Sequence, residues 1–243
     1  MGKARRVSHQ PLEESITDKN MIELKARHPS EVITTTFNRR KEATTGADWE
    51  WWFTNSKKNA WFGVRVQAKI LKFKSERYEA LNYKDQTNVL IADAARGGLV
   101  PLYCFYSHWP LSHAVTTSKC QTFPNAPETY GCAIVDAHTI RTMKSQPNAD
   151  SLANIMAASF PWSCLVCCNG GLGNLAVLDL PSKVRHFVAN VLVFDSEIDV
   201  RNIPKIIDTP PRHVIETMQQ EAPDFVLDDP NLAGVVIIVG NEG

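Results

Sequence analysis

Trp61-Phe62-Gly63-Val64-Arg65-Val66-Gln67-Ala68-Lys69-Ile70-Leu71 is the most regular stretch of the chain. From Val64 onward it alternates strictly. Val64, Val66, Ala68 and Ile70 fall on one face of an extended strand, and Arg65, Gln67 and Lys69 fall on the other. A period of two in a run rich in β-branched residues predicts a strand with one buried face, and the helix that follows is expected to cover the apolar set. Ahead of this stretch, Asp48-Trp49-Glu50-Trp51-Trp52-Phe53 reads as a second strand. The polar, turn-like Thr54 to Ala60 joins the two, so residues 48–71 read as a hairpin. Asp48 and Glu50 share one face, and the expected register sets Asp48 beside Gln67 and Lys69.

Working outward, Leu12 to Arg27 reads as a helix, with Thr17 as its N-cap and His28-Pro29 as its end. Val32 to Phe37 is short and β-branched, and predicts a strand. Glu76 to Arg96 predicts one helix, or two broken near Asn82, stopped by Gly97-Gly98. Val100 to Tyr106 is a further strand. The order is α-β-β-β-α-β, an α/β arrangement. Beyond it, 107–131 reads as a long irregular excursion and Cys132 to Met143 as a strand-to-helix unit. Pro161 to Cys168 and Val188 to Phe194 read as strands. Thr209-Pro210-Pro211 opens a helix to Gln220, and Gly234 to Gly240 is a final strand. The expected division is a core over 1–106. An extension over 107–243 either completes the same domain or forms a small subdomain.

The bulk properties bound the class. A chain of 243 residues, 44% hydrophobic and 21% charged, is ordinary for a globular protein. No apolar run approaches the ~20 residues of a membrane-spanning helix, and the basic N-terminus has no apolar segment behind it. With six cysteines, this predicts a cytoplasmic protein with reduced thiols. Net charge is zero, but residues 1–100 carry 18 Lys+Arg against 12 Asp+Glu, and residues 101–243 carry 8 against 14. That asymmetry suits a polyanion meeting the first half.

The polar face of the 61–71 strand has the composition that phosphodiester hydrolysis needs. A carboxylate and a second oxygen donor can hold Mg²⁺, a hard cation. A lysine two residues along can stabilise developing negative charge. Gln67 supplies a carbonyl oxygen in place of an acid, so a further carboxylate is expected to contribute. Several other features have plainer readings. The tryptophans 49, 51, 52 and 61 suit core packing more than base stacking. Cys164-x-x-Cys167 reads as buried, inert thiols rather than half of a zinc site. Gly170-Gly171-Leu172-Gly173 reads as a turn rather than a phosphate loop.

Asp48 followed by Gln67-Ala68-Lys69, on that order of elements, resembles the PD-(D/E)XK (restriction-endonuclease-like) nuclease superfamily. Gly46-Ala47-Asp48 ahead of a Gln-x-Lys strand is similar to the Mrr-type restriction endonucleases, and Glu42 to Trp52 resembles a further bacterial branch. The resemblance covers roughly residues 10–106. It departs from the common pattern at Ala47, where proline is usual, and at Gln67, where an acid is usual. It implies a restriction-endonuclease-like core with Asp48 and Gln67 as ligands of Mg²⁺ (or Mn²⁺) and Lys69 as the catalytic lysine. A further acid from the first helix is implied, with Glu14 as the candidate and Glu13 and Glu23 behind it; Glu42, close in sequence to Asp48, is the other possibility. The implied activity is endonucleolytic cleavage of DNA, in defence against phage or foreign DNA. A homodimer or a partner protein of a defence system is consistent with it. Lys57, Lys58 and Arg65 are then the candidate phosphate contacts. The alternative is a catalytically weak nucleic-acid-binding module or regulatory subunit on the same fold.

Overall fold

The computed structural model describes residues 1–36, 49–82, 85–117, 120, 124–167, 178–192, 202–219 and 232–241, with Asn82 by its backbone alone. In chain order its elements are α1 (Gly2–Arg6), α2 (Glu13–Arg27), β1 (Val32–Thr36), β2 (Trp49–Thr54) and β3 (Trp61–Ile70). A 3-10 turn (Glu79–Asn82) leads to α3 (Gln86–Arg96) and β4 (Val100–Tyr106). Next come β5 (Cys132–Asp136), α4 (Ala137–Met143), α5 (Leu152–Ala158), β6 (Phe160–Pro161) and α6 (Cys164–Cys167). The described elements end with α7 (Leu180–Phe187), a π-helical extension (Val188–Leu192), α8 (Arg212–Gln219) and β7 (Gly234–Val239).

The fold is mixed α/β, built on one seven-stranded sheet in the order β1-β7-β2-β3-β4-β5-β6. The expected hairpin forms: β2 and β3 are antiparallel, with Trp49 opposite Val66 and Glu50 opposite Arg65. β4 lies parallel to β3, with α3 as the crossover. The expected break near Asn82 is present, and Gly98, at φ +64°, supplies the left-handed residue that ends this crossover helix. Residues after 107 contribute β5, β6 and β7 to the same sheet.

The final strand enters the interior of the sheet rather than its edge. β7 runs between β1 and β2, antiparallel to the first and parallel to the second. Gly234 makes this close approach possible. A Cβ there would meet the Trp49 ring at 2.4 Å and the Thr35 carbonyl oxygen at 2.5 Å. Gly234→Ala is therefore expected to cost about 1–3 kcal/mol through overpacking. Urea unfolding measures it, and a loss below a few tenths of that range contradicts the packing described.

Two apolar layers flank the sheet. Val64, Val66, Ala68 and Ile70 pack with Trp49, Trp51, Phe53, Leu102 and Cys104 against Met21 of α2 and Val184 and Phe187 of α7. This corrects the expectation that α3 covers the apolar face of β3. α3 instead lies on the polar face, where Leu90 joins Tyr103 and Phe105 and Ala94 joins Trp52 and Trp61. The aromatic residues of the flanking strands give the helix an apolar footing on either side of the Arg65–Lys69 row.

Three local expectations change. Thr17 is not an N-cap; it lies inside α2, buried, and its hydroxyl bonds the Tyr106 hydroxyl at 2.8 Å. The residue before α2 is Leu12, which has no capping side chain. Of the run expected as a strand from Pro161 to Cys168, β6 pairs for two residues only, Cys164–Cys167 is a helical turn, and Cys168 lies outside the described residues. Val188–Leu192 continues α7 as π-helix rather than forming a strand.

Candidate active site

The alternation of β3 and its register with β2 and β4 assemble the site. Arg65, Gln67 and Lys69 project from one face, with Glu50 paired across from Arg65, and Tyr103 and Phe105 paired across from Gln67 and Lys69. α3 then closes over this row. All three side chains are buried, Gln67 and Lys69 to 4% exposure each.

At one end of the row stands a buried charge network. Arg65 lies 3.3 Å from a Glu50 carboxylate oxygen and 2.5 Å from the Asp93 carboxylate of α3. Asp93 is held on its other oxygen by Arg96 at 2.8 Å. The second Glu50 oxygen accepts the Trp52 indole N–H at 2.9 Å and lies 2.7 Å from His213 Nε2 of α8. Burial by itself raises the Glu50 carboxyl. The bond to His213, the Arg65 charge and the Trp52 N–H outweigh it and hold the group below the usual glutamate range. Glu50 is thus an ionised anchor that ties β2, β3 and α8 together.

At the other end stands Lys69. Among the described residues no carboxylate lies within ion-pair distance of its ammonium. Burying a cation is costly unless a counter-charge meets it, and Asp48, the acid that the sequence sets beside Lys69, lies outside the described residues. Between the two ends, the Gln67 carboxamide donates to the Ala68 carbonyl at 3.4 Å. Nearby, Thr87 in the first turn of α3 bonds the Tyr103 hydroxyl at 2.8 Å.

The other sequence-derived candidates separate. Asp48 and Glu42 lie outside the described residues; Asp48 is the chain neighbour of Trp49, which pairs with Val66, the neighbour of Gln67. Glu14 is exposed in the first turn of α2, the helix on the apolar side of the sheet. Lys57 and Lys58 are exposed in the hairpin turn. That turn leads into Trp61, six residues and about 20 Å along the strand from Gln67. Arg65, expected to meet a phosphate backbone, is instead buried and engaged by Glu50 and Asp93. Sequence reading missed the His213–Glu50 contact, whose partners are separated by 163 positions, and the Arg65–Asp93 pair. The single signal for either was that Glu50 shares a face with Asp48.

Fold and site together define an α/β protein whose central hairpin presents a buried polar row beneath a helix. The chain belongs to a family of unknown function, DUF6615, which it matches over residues 1–242. No curated protein and no solved structure matches it.

Proposed function

We propose that this protein is a metal-dependent nuclease of the PD-(D/E)XK type that hydrolyses phosphodiester bonds, with DNA as its substrate. The observation that carries the reading is the β2–β3 register. It sets Gln67 and Lys69 on one face, at the end of the hairpin where the chain arrives from Asp48. The order α2-β1-β2-β3-α3-β4, with α2 and α3 on opposite faces of the sheet, supports a restriction-endonuclease-like core. The insertion of β7 between β1 and β2 is an addition to it.

The donor chemistry suits Mg²⁺ or Mn²⁺ in kind. Gln67 offers a hard carboxamide oxygen and Asp48 a carboxylate. Asp48 and Gln67 are the residues that would hold the ion; among the described residues no three His, Cys, Asp or Glu side chains stand together as a metal-holding set. Bound there, it would supply Lewis acidity toward a phosphoryl oxygen. The chain's own residues do the rest. Lys69, fixed by the strand and covered by α3, holds positive charge where the phosphate gathers negative charge. Burial under α3 excludes bulk water and so strengthens that interaction. The Glu50–Arg65–Asp93 network fixes the strand two residues from Gln67.

Calorimetric titration with Mn²⁺ tests the proposed ligand set. Wild type is expected to bind Mn²⁺ with Mg²⁺ as a competitor, and Asp48→Ala to lose at least about tenfold in affinity, the scale of perturbing a metal site. Equal binding by wild type and Asp48→Ala, or none by either, overturns the assignment and favours a nucleic-acid-binding module.

A further inference from the structure

Cys104, Cys120, Cys132, Cys164 and Cys167 are free thiols, and four of them meet in two pairs. The sulfurs of Cys120 and Cys164 stand 3.3 Å apart, and those of Cys104 and Cys132 stand 3.2 Å apart. All four belong to the apolar layer that also holds Val184 and Phe187 of α7. The two pairs differ in what holds them. Cys104 lies on β4 opposite Ile134, and Cys132 lies on β5 opposite Tyr106, so this pair is diagonal in an antiparallel ladder. Diagonal neighbours have backbones about 7–8 Å apart, beyond the roughly 4.4–6.8 Å between the Cα atoms of a disulfide. Burial also pushes the Cys132 thiol up, and the Cys104 thiol adds to the rise, which leaves little thiolate to react. Cys120, by contrast, lies in the 107–131 excursion, outside any helix or strand, and is half-buried. Cys164 is buried and opens the four-residue turn α6. Bringing these two sulfurs to bonding distance distorts no strand ladder.

We propose that Cys120 and Cys164 form a reversible thiol-modification site, which a low-molecular-weight disulfide such as glutathione disulfide converts to an intramolecular disulfide. The Cys120 thiolate attacks glutathione disulfide, forms a mixed disulfide and releases one glutathione, which takes up the proton that Cys120 gave. The Cys164 thiolate then attacks the Cys120 sulfur, breaks its bond to glutathione and releases the second glutathione, which takes up the Cys164 proton. Two protein thiols are oxidised, one glutathione disulfide is reduced, and excess reduced glutathione reverses both steps. The crosslink closes a loop from 120 to 164 and ties the excursion to α6. α6 packs on α7, and α7 lies against β2 and β3, so the bond fastens the layer beneath the candidate site. The modification requires none of the nuclease chemistry.

The test uses the full-length wild-type protein under native conditions. It is reduced, exchanged into excess glutathione disulfide, alkylated, digested without reduction and mapped by mass spectrometry. A Cys120–Cys164 linked peptide is the expected main product, with Cys104 and Cys132 recovered as alkylated thiols. Oxidation is expected to raise Tm by about 5–10 °C, because the bond restricts the unfolded chain, and dithiothreitol is expected to remove the rise. Cys120→Ser is expected to melt at the same temperature in both conditions. Recovery of Cys120 and Cys164 as free thiols overturns the site, and so does Cys164 joined to any other cysteine. A Cys120–Cys164 bond that forms only in denaturant, or one that leaves Tm no higher than in the reduced protein, overturns it as well. The wild-type map decides the matter even if Cys120→Ser fails to fold.

Discussion

Lys69→Ala is expected to lower metal-dependent cleavage by about 10²–10³-fold, the usual effect of removing one preorganised group that stabilises transition-state charge. It is expected to leave the fold as stable as wild type or more stable. The two halves of this prediction come from the same fact. Lys69 is 4% exposed, with no carboxylate within ion-pair distance among the described residues, so on the contacts described its removal strands no opposite charge. Single-turnover cleavage and thermal melting, measured on the same preparation, give both numbers. A variant that cleaves within about threefold of wild type, on the scale where tenfold is 1.4 kcal/mol, contradicts the role assigned to Lys69. A variant that loses both activity and several degrees in Tm assigns Lys69 to the framework instead.

Arg65→Met is expected to behave in the opposite way. It removes the cation that joins Glu50 and Asp93, which lie 3.3 Å and 2.5 Å from its guanidinium. Breaking a buried pair from one side leaves an uncompensated charge and typically costs about 3–5 kcal/mol. Two carboxylates are stranded here, one on β2 and one on α3. His213 remains bound to Glu50 and Arg96 to Asp93, which limits the loss but does not replace the cation between them. Urea denaturation of wild type and variant reads the difference directly. A loss under about 1 kcal/mol, the range of exposed pairs, contradicts the description of the network as buried and structural. The contrast between the two residues is the point: Arg65 and Lys69 lie on the same face of one strand, four positions apart. Glu50 and Asp93 neutralise the first; among the described residues no carboxylate meets the second.

The hairpin was legible because alternation in a strand is a local property. Val64 to Ile70 states its own period, and the register with Trp49 to Phe53 follows from a short connection. The order of elements through Tyr106 was legible for the same reason, as was the break near Asn82. What covers each face was not. An apolar row normally attracts the next helix, and here α3 sits on the polar row instead, because Asp93 neutralises Arg65 while Leu90 and Ala94 find aromatic residues on flanking strands. No short-range signal carries that choice. Val188 to Leu192 misled for a related reason. The run is apolar enough for a strand, yet Val184, Val188 and Leu192 recur every four residues and continue the buried stripe of α7. Contacts between distant parts of the chain were out of reach: β7 entering between β1 and β2, and His213 meeting Glu50. Of the candidate site, the Gln67–Lys69 pair was readable from the strand, and the burial of that pair beneath α3 was not, since it depends on which face the helix covers.

The central claim is that the face bearing Gln67 and Lys69, together with Asp48, hydrolyses phosphodiesters. Incubation of the full-length protein with supercoiled plasmid and Mg²⁺, beside Asp48→Ala, Lys69→Ala and an EDTA control, tests it most directly. Nicking or linearisation by wild type, lost in EDTA and in both variants, is the predicted result. Cleavage that persists in both variants contradicts the account, as does the absence of cleavage of duplex DNA, single-stranded DNA or RNA with either Mg²⁺ or Mn²⁺.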